Sequence, residues 1–241
     1  MADMLLQVSG VVKRFGGFTA LDGVDFAVRP GERVGLIGPN GSGKSTLVNC
    51  IAGTLRNDEG GILFEGRDIS AYPAHRRTRL GLARSFQIPK PFASMSVLDN
   101  LCVPLLYAAG RRGAHGPIAA EALHILEQVG LHEKAGAMSG GLTQVDMRKL
   151  ELARAMAARP KLLISDEAMA GLSASEVDDI LELLLGLKAQ DVAVIMIEHV
   201  MRAVMNFSER IAVLVAGRKI ADGDPQAVVG NAEVVKAYLG E

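Results

Sequence analysis

One stretch of this chain decides its fold. Residues 38–45 satisfy the pattern G-x-x-x-x-G-K-[ST] and read Gly38-Pro39-Asn40-Gly41-Ser42-Gly43-Lys44-Ser45. The apolar run before it, residues 33–37, predicts a buried strand, and residues 44–52 after it predict a helix. In that context, glycines let successive N–H groups turn inward around phosphates, and the positive end of the helix dipole faces the same anion. The stretch therefore predicts a phosphate-binding loop at the start of a parallel α/β core.

The side chains at the end of this loop suit a nucleotide with its metal ion. Lys44 can reach the β and γ phosphates, and the hydroxyl of Ser45 can join the coordination shell of Mg²⁺. Thr46 follows directly and completes the predicted nucleotide-binding residues. We expect the ligand to be ATP with Mg²⁺.

Two acids follow a second apolar strand. Residues 162–167 read Leu-Leu-Ile-Ser-Asp-Glu, and we expect this strand to lie next to the one that carries the glycine-rich loop. Asp166 would hold Mg²⁺, directly or through water. Glu167 lies one residue further, where a carboxylate can polarise the water that attacks the γ-phosphate.

The rest of the chain alternates between two kinds of pattern. Alternating polarity predicts half-exposed antiparallel strands at residues 5–12 and 23–28. Helical periodicity takes over from about residue 88 to 159, which predicts a helical lobe inserted in the core. Continuous apolar runs then predict strands buried on both faces. These runs are residues 161–165, 192–197 and 211–215, with helices predicted at about 175–190 and 232–239.

Composition excludes several classes of protein. With 26 Lys and Arg against 27 Asp and Glu, the net charge is −1, so nucleic acid is not expected as a partner. The two cysteines form no C-x-x-C pattern, which argues against a disulfide framework and a structural zinc. The longest unbroken apolar stretch is too short for a membrane helix, and the N-terminus carries no export signal. We expect a cytoplasmic protein.

Apolar residues are nevertheless abundant. With glycine counted and tyrosine left out, about 59% of the chain is apolar, above the about 45–50% of typical soluble domains. This excess indicates apolar surface that a partner covers.

Taken together, these motifs resemble the nucleotide-binding subunits of ABC transporters over the whole chain. The resemblance implies a P-loop NTPase (RecA-like) core, with an N-terminal antiparallel β-subdomain, at about residues 1–87 and 160–241, and an inserted helical subdomain at about 88–159. It implies that Phe15 stacks on adenine, although a phenylalanine at this place also suits the core of a hairpin. It assigns Gln87 to Mg²⁺ and the attacking water, and His199 to the γ-phosphate. Residues 170–173 would form a loop that crosses the interface of a dimer.

The family's signature, Leu-Ser-Gly-Gly-Gln, is altered in this chain. The family's spacing from the signature to Ala153-Arg154-Ala155 assigns it to Leu142-Thr143-Gln144-Val145-Asp146, whereas Met138-Ser139-Gly140-Gly141 fits better by letter but lies four residues too early. Thr143 and Asp146 also have the spacing of a helix start, which supports the first register. Thr143 keeps the hydroxyl of the signature, but Asp146 brings a negative charge toward the nucleotide of the opposite subunit.

The resemblance narrows further to the ATPases of branched-chain amino acid importers. It rests on Arg14-Phe15-Gly16-Gly17, Ile197-Glu198-His199 and the ending Ala237-Tyr238-Leu239-Gly240-Glu241. It implies an ATP-hydrolysing subunit of a membrane importer, held on the inner face of the membrane by transmembrane permease subunits and served indirectly by an extracytoplasmic solute-binding protein. The altered signature favours a heterodimer with a second homologous ATPase over a homodimer.

We expect the permease to dock on the stretch between residues 86 and 101. Its apolar residues are Ile88, Pro89, Phe92, Val97 and Leu98. Two other functions remain open from the sequence. One is a soluble ABC-type ATPase without a membrane partner, and the other is a nucleotide-sensing subunit that hydrolyses ATP slowly.

Overall fold

Two β-sheets organise the fold. The structure, a computed structural model, describes residues 4–85, 89–108 and 117–239. Its strands are β1 (Leu6–Phe15), β2 (Phe18–Val28), β3 (Arg33–Ile37), β4 (Glu59–Phe64), β5 (Arg67–Asp68), β6 (Leu82–Ser85), β7 (Leu162–Asp166), β8 (Ala193–Ile197), β9 (Arg210–Val215) and β10 (Arg218–Gly223).

The helices follow the strands along the chain. They are α1 (Lys44–Ala52), α2 (Ala74–Leu80), α3 (Val97–Tyr107), α4 (Ile118–Gln128), α5 (Gln144–Ala157), α6 (Ala174–Gly186), α7 (Met201–Phe207), α8 (Pro225–Val229) and α9 (Ala232–Leu239). Short 3-10 helices occupy His132–Lys134, Ser139–Gly141 and Leu187–Gln190. In the three ranges that the structure describes, no helix has the length and apolar character needed to cross a bilayer.

The first sheet is antiparallel, in the order β2-β1-β4-β5. Buried and exposed residues share its strands, as in β1, where Leu6 and Val8 are buried and Ser9 is exposed. The predicted antiparallel strands near the N-terminus are confirmed. The sequence missed β4 and β5, because β4 begins with an acid and two glycines and β5 has only two residues.

The second sheet has the order β10-β9-β3-β8-β7-β6, and β10 alone pairs antiparallel with its neighbour among the strands described. Every residue of β7 and β8 is buried, which confirms the prediction from their continuous apolar runs. The expectation that β7 adjoins β3 was wrong, because β8 lies between them. Apolar strands of similar length cannot be ordered from their sequences, since each suits any interior position of a parallel sheet.

Helices α3, α4 and α5 lie between β6 and β7 in the chain and share one apolar cluster. The cluster includes Val97, Leu101, Leu126 and Leu150. Helix α5 has two buried faces, because its Leu152 belongs instead to the cluster between the parallel sheet and α6. The α/β fold class is confirmed, while the boundaries of the helical subdomain remain a prediction.

The predicted helix at residues 175–190 is shorter in the structure. Helix α6 ends at Gly186, and Leu187–Gln190 continue as a 3-10 helix. Its predicted start is confirmed, because the Ser173 side chain accepts from the backbone N–H of Glu176 and the Glu176 carboxylate accepts from that of Ser173.

Candidate functional site

The loop between β3 and α1 requires glycine at positions 38 and 43. Gly38 and Gly43 have φ angles of 151° and 106°. A Cβ atom at Gly38 would lie 2.1 Å from the backbone oxygen of Leu214. Gly43 caps α1 without a side-chain hydrogen bond, so no side chain of this cap competes with a ligand for the first N–H groups of the helix. The loop is a ready anion site.

Lys44 lies inside this loop, and only 6% of the residue is exposed. Its Nζ donates to the backbone oxygens of Gly38 at 2.7 Å and Pro39 at 3.0 Å. Burial lowers the pKa of the ammonium, while the negative charges of Glu167 and Asp166 counteract part of that shift. The two acids are thus electrostatic neighbours of the loop, as the sequence predicted.

The hydroxyls of this loop suit a phosphate and its metal ion. Ser42 is buried, and its Oγ has no hydrogen-bond partner among the described residues. Such an orphaned group fits a ligand that would complete its hydrogen bonding. Ser45 is exposed and Thr46 is half-buried at the start of α1, so both can meet a ligand. Asn40 and Gly41 form the outer part of the turn.

Asp166 ends β7 and is buried against an arginine. Its Oδ2 accepts from Nη2 of Arg84 at 2.5 Å, and Nη1 of the same arginine donates to Oδ1 of Asn49 at 2.6 Å. A carboxylate and a serine hydroxyl are oxygen donors of the kind that Mg²⁺ prefers, so Asp166 and Ser45 fit this ion.

Glu167 and His199 lie side by side after two neighbouring strands. Glu167 Oε1 and His199 Nε2 are 3.1 Å apart, and β7 and β8 pair in parallel register up to Asp166 and Ile197. Glu167 adopts a φ of 49°, a conformation that is costly for a residue with a side chain and that is concentrated at functional sites. Its N–H donates to the Ile197 oxygen at 2.9 Å, which holds this turn in place.

Two of the predicted site residues, Phe15 and Gln87, are not connected to the glycine-rich loop by any described contact. Phe15 lies at the end of β1 and is 47% exposed, with the Lys13 ammonium 5.5 Å from its ring centre. The alternative of a buried hairpin residue is therefore wrong, and the stacking role remains a prediction. Gln87 lies outside the described residues.

The sequence points to Glu198 only as part of Ile197-Glu198-His199 and predicts no role for its side chain. Only 4% of Glu198 is exposed, and its Oε1 accepts from the Met169 N–H at 2.8 Å. Burial raises its pKa to about 7, although the N–H groups of Met169 and His199 act in the opposite direction. On the other side of the same loop, Nη2 of Arg148 donates to the Ala170 oxygen at 3.2 Å. An acid directly after a fully buried strand was the signal that could have revealed it.

The predicted helix start at Thr143 is confirmed. Thr143 caps α5, and its Oγ1 accepts from the Asp146 N–H at 3.2 Å and donates to Asp146 Oδ2 at 2.7 Å. Nζ of Lys134 donates to the same oxygen at 2.5 Å. Burial raises the pKa of Asp146, but these hydrogen bonds outweigh it and the pKa is lowered overall. In the competing register, Ser139 is fully buried and donates to the Phe92 oxygen.

The stretch predicted to receive the permease is only partly exposed. Val97 is fully buried in the helical cluster, so its assignment to a docking surface was wrong. Its place at the first turn of α3 directs it inward, which a run of apolar letters does not reveal. Phe92 is 42% exposed, and the centre of its ring lies 5.0 Å from the guanidinium carbon of Arg154. Leu98 packs partly against the helical cluster, and Ile88 lies outside the described residues.

Known proteins resemble this chain over its full length. The family model described as ABC transporter matches residues 21–170, and the one described as branched-chain amino acid ATP-binding cassette transporter matches residues 218–241. The high-affinity branched-chain amino acid transport ATP-binding protein BraF of Pseudomonas aeruginosa is 38% identical, and LivG of Escherichia coli K12 is 36% identical. Each similarity covers 100% of both chains.

Solved structures of ATP-binding cassettes have the same fold as this chain. A nucleotide-free ATP-binding cassette from an ABC transporter superposes with a TM-score of 0.89 at 33% identity and covers 99% of this chain and 100% of that one. An ATP-binding cassette in its ADP conformation has a TM-score of 0.88 at 34% identity, with 99% of each chain covered. The glycine-rich loop, the two acids and His199 occupy one edge of this cassette. This chain therefore belongs to the ABC transporter family and is an ATP-hydrolysing cassette of it.

Proposed function

We propose that this cassette powers a membrane importer of branched-chain amino acids. The observation that carries the proposal is the similarity to BraF and LivG along the whole chain, which includes the separate match at residues 218–241. Both relatives are named as branched-chain amino acid transport proteins. A soluble ATPase or a slow nucleotide sensor has no comparable support.

The chemistry follows from the residues at the site. The loop N–H groups and the Lys44 ammonium bind the phosphates, and Ser45 and Asp166 would hold Mg²⁺. The ion would neutralise charge that develops on the phosphates. Glu167 accepts a proton from the attacking water as a general base. His199, whose Nε2 is 3.1 Å from Oε1 of Glu167, would orient that carboxylate and contact the γ-phosphate. Gln87 would contact the same water and ion, and Phe15 would stack on the adenine.

A groove between α2, α3 and α5 gives the permease a place to bind. It encloses about 410 Å³, and its walls include Thr78, Val103, Tyr107 and Ala155. Tyr107 is 73% exposed at the rim, and the exposed base Arg79 stands beside the apolar wall, whereas Arg154 in the same wall is paired with Glu151. A short amphipathic helix with an acidic residue, from the cytoplasmic side of the permease, matches this combination. This docking would hold the cassette at the membrane.

A second ATPase subunit would complete the two nucleotide sites. In such a dimer, the start of α5 would face the ATP of the other subunit. The Thr143 hydroxyl would donate to that ATP after turning away from Oδ2 of Asp146, to which it donates in the isolated chain. Gln144 and Val145 add side chains where the family has glycine. The Lys134 ammonium partly neutralises Asp146, so repulsion is smaller than for a bare carboxylate, and crowding by the two side chains becomes the main obstacle. A partner with an intact signature would relieve it at one site, so we favour a heterodimer.

Reconstitution tests the transport function. The cassette should be co-expressed with candidate permease and ATPase subunits, placed in liposomes, and supplied with a solute-binding protein on the outer side. ATP-dependent uptake of radiolabelled leucine, with sorbitol as the control solute, is the expected result. An active ATPase complex that moves neither leucine, isoleucine nor valine would contradict the substrate.

The docking groove has its own test. Tyr107→Asp should abolish co-purification with the permease while leaving the melting temperature unchanged, because Tyr107 is exposed. Val97→Asp should instead unfold the helical cluster, because it buries an unpaired charge. Normal assembly of the Tyr107→Asp variant would eliminate this groove as the docking site.

A further inference from the structure

Three elements meet at the guanidinium of Arg84. The residue lies on β6, and its two terminal nitrogens reach Asp166 at the end of β7 and Asn49 on α1. Side-chain exposure is 13% for Arg84 and 8% for Asp166, so the ion pair is largely shielded from water. β6 and β7 run in parallel register, with Arg84 opposite Ile164 and Ser85 opposite Ser165. This register brings the side chains of Arg84 and Asp166 together.

This geometry suits arginine in particular. A guanidinium presents several donors in one rigid plane, so it can hold two acceptors on different elements at fixed angles. Arg84 donates to Oδ2 of Asp166, and among the described residues no hydrogen bond to the other oxygen, Oδ1, is found, so that oxygen can serve a ligand. Because Asn49 anchors the guanidinium from the helix that follows the phosphate-binding loop, Asp166 is also tied to the phosphate side of the site.

The same arginine lines the groove in which we placed the permease. Arg84 belongs to its wall together with Thr54, Val103 and Tyr107. Its side chain thus lies between the groove and the carboxylate of Asp166. A segment seated in the groove would exclude the water that still reaches the ion pair, in which 13% of the Arg84 side chain is exposed, and would strengthen the pair, since charges attract more strongly where the local dielectric is lower.

We propose that Arg84 is a positioning residue that holds Asp166 for Mg²⁺ and conveys occupation of the groove to the metal site. Its role at Asp166 stands on the geometry of this chain alone. The role of the groove rests on the proposed function, because the occupant is the permease. When the groove is filled, Asp166 is held more rigidly and the metal binds more tightly.

The first experiment uses the isolated cassette and Mn²⁺ as the metal probe. Binding of Mn²⁺ is measured by electron paramagnetic resonance in the presence of a non-hydrolysable ATP analogue. Arg84→Gln should raise the apparent dissociation constant about tenfold or more, because Asp166 loses its anchor. Arg84→Lys should give a smaller rise, since it keeps the charge but has one donor group for two acceptors.

Two controls keep this experiment decisive. Arg76→Gln makes the same chemical change on exposed α2, where Arg76 stacks over Tyr72, and should leave Mn²⁺ affinity unchanged. Circular dichroism melting identifies any variant that fails to fold. Asn49→Ala leaves the ion pair intact but removes its anchor, together with the hydrogen bond from the Thr54 hydroxyl to the same oxygen, and it should raise the dissociation constant a few-fold. Wild-type Mn²⁺ affinity in folded Arg84→Gln would overturn the role of Arg84.

The second experiment compares the isolated cassette with the complex that contains the permease. In the wild type, Mn²⁺ affinity should increase on assembly, and in Arg84→Gln this increase should disappear although the complex still forms. An equal increase in both would overturn the coupling. If the permease does not bind the wild-type cassette at all, the proposed function fails, while the isolated chain still decides what Arg84 does for Asp166.

Discussion

At the scale of single residues, three structural features support a role of Glu167 as the general base. It is held by a hydrogen bond from its own N–H, it lies beside His199, and its backbone adopts a conformation that costs of order 1–3 kcal/mol. We expect Glu167→Gln to keep ATP affinity and reduce turnover by about 10²–10⁴-fold, because the amide keeps the shape but cannot accept the proton.

Steady-state ATPase of the assembled transporter measures this loss, and binding of a fluorescent ATP analogue checks the affinity. Glu182→Gln, an exposed change of the same kind on α6, is the control and should retain full activity. Turnover above about a tenth of the wild-type rate would exclude Glu167 as the general base.

The burial of Glu198 makes the stability of the folded protein depend on pH. Its pKa rises from 4.5 to about 7 in the folded protein. Between these two values the folded state keeps a proton that the unfolded state has released, so stability falls as pH rises through this window. Each pKa unit corresponds to about 1.4 kcal/mol, which gives a penalty on the order of 3 kcal/mol at pH 8.

The glutamine variant separates this effect from all other titrations. Glu198→Gln keeps an oxygen that can accept from the Met169 N–H but cannot lose a proton. Its stability relative to the wild type should therefore increase from pH 5 to pH 8. Urea unfolding at several pH values measures the difference, and parallel curves for the two proteins would contradict the raised pKa.

At the scale of elements, the start of α5 depends on one hydroxyl. Thr143 caps the helix and also bonds the carboxylate of Asp146, which in turn accepts from Lys134. Thr143→Ala removes the cap and should lower the free energy of unfolding by about 1 kcal/mol. Thr143→Ser keeps the hydroxyl and should stay close to the wild type in chemical denaturation. Equal stability of all three proteins would show that the cap contributes nothing.

Predictions about secondary-structure elements succeeded where they depended on local sequence and failed where they depended on distant contacts. A helix start with Ser or Thr and an acid three residues later is a local pattern, and both Thr143 and Ser173 cap their helices as predicted. The order of β3, β8 and β7 is set by contacts distant in sequence and was predicted incorrectly. Val97 was misplaced for the same reason, because the face of α3 that is buried depends on where α4 and α5 pack.

At the scale of the whole molecule, the altered signature predicts two unequal ATP sites. In the heterodimer, the phosphate-binding loop of this chain, residues 38–45, would face the intact signature of the partner. Lys44→Ala in this chain should therefore remove most of the ATPase activity, and the equivalent change in the partner should remove less. Paired mutagenesis in the purified complex measures both losses. Equal losses, or a transporter with two copies of this chain, would contradict the asymmetry.

What the sequence determined by itself was the chemistry and the local structure of this protein. Residues 38–45 and 162–167 have to form a phosphate-binding loop and a strand ending in two acids, because glycine spacing and apolar runs act over a few residues. The tertiary structure decided what burial and distant contacts control. It buried Glu198 and raised its pKa, paired Arg84 with Asp166, and formed the groove between α2, α3 and α5. These features depend on which surfaces the folded chain removes from water. Apart from the position of Glu198 directly after an apolar strand, no local pattern indicates them.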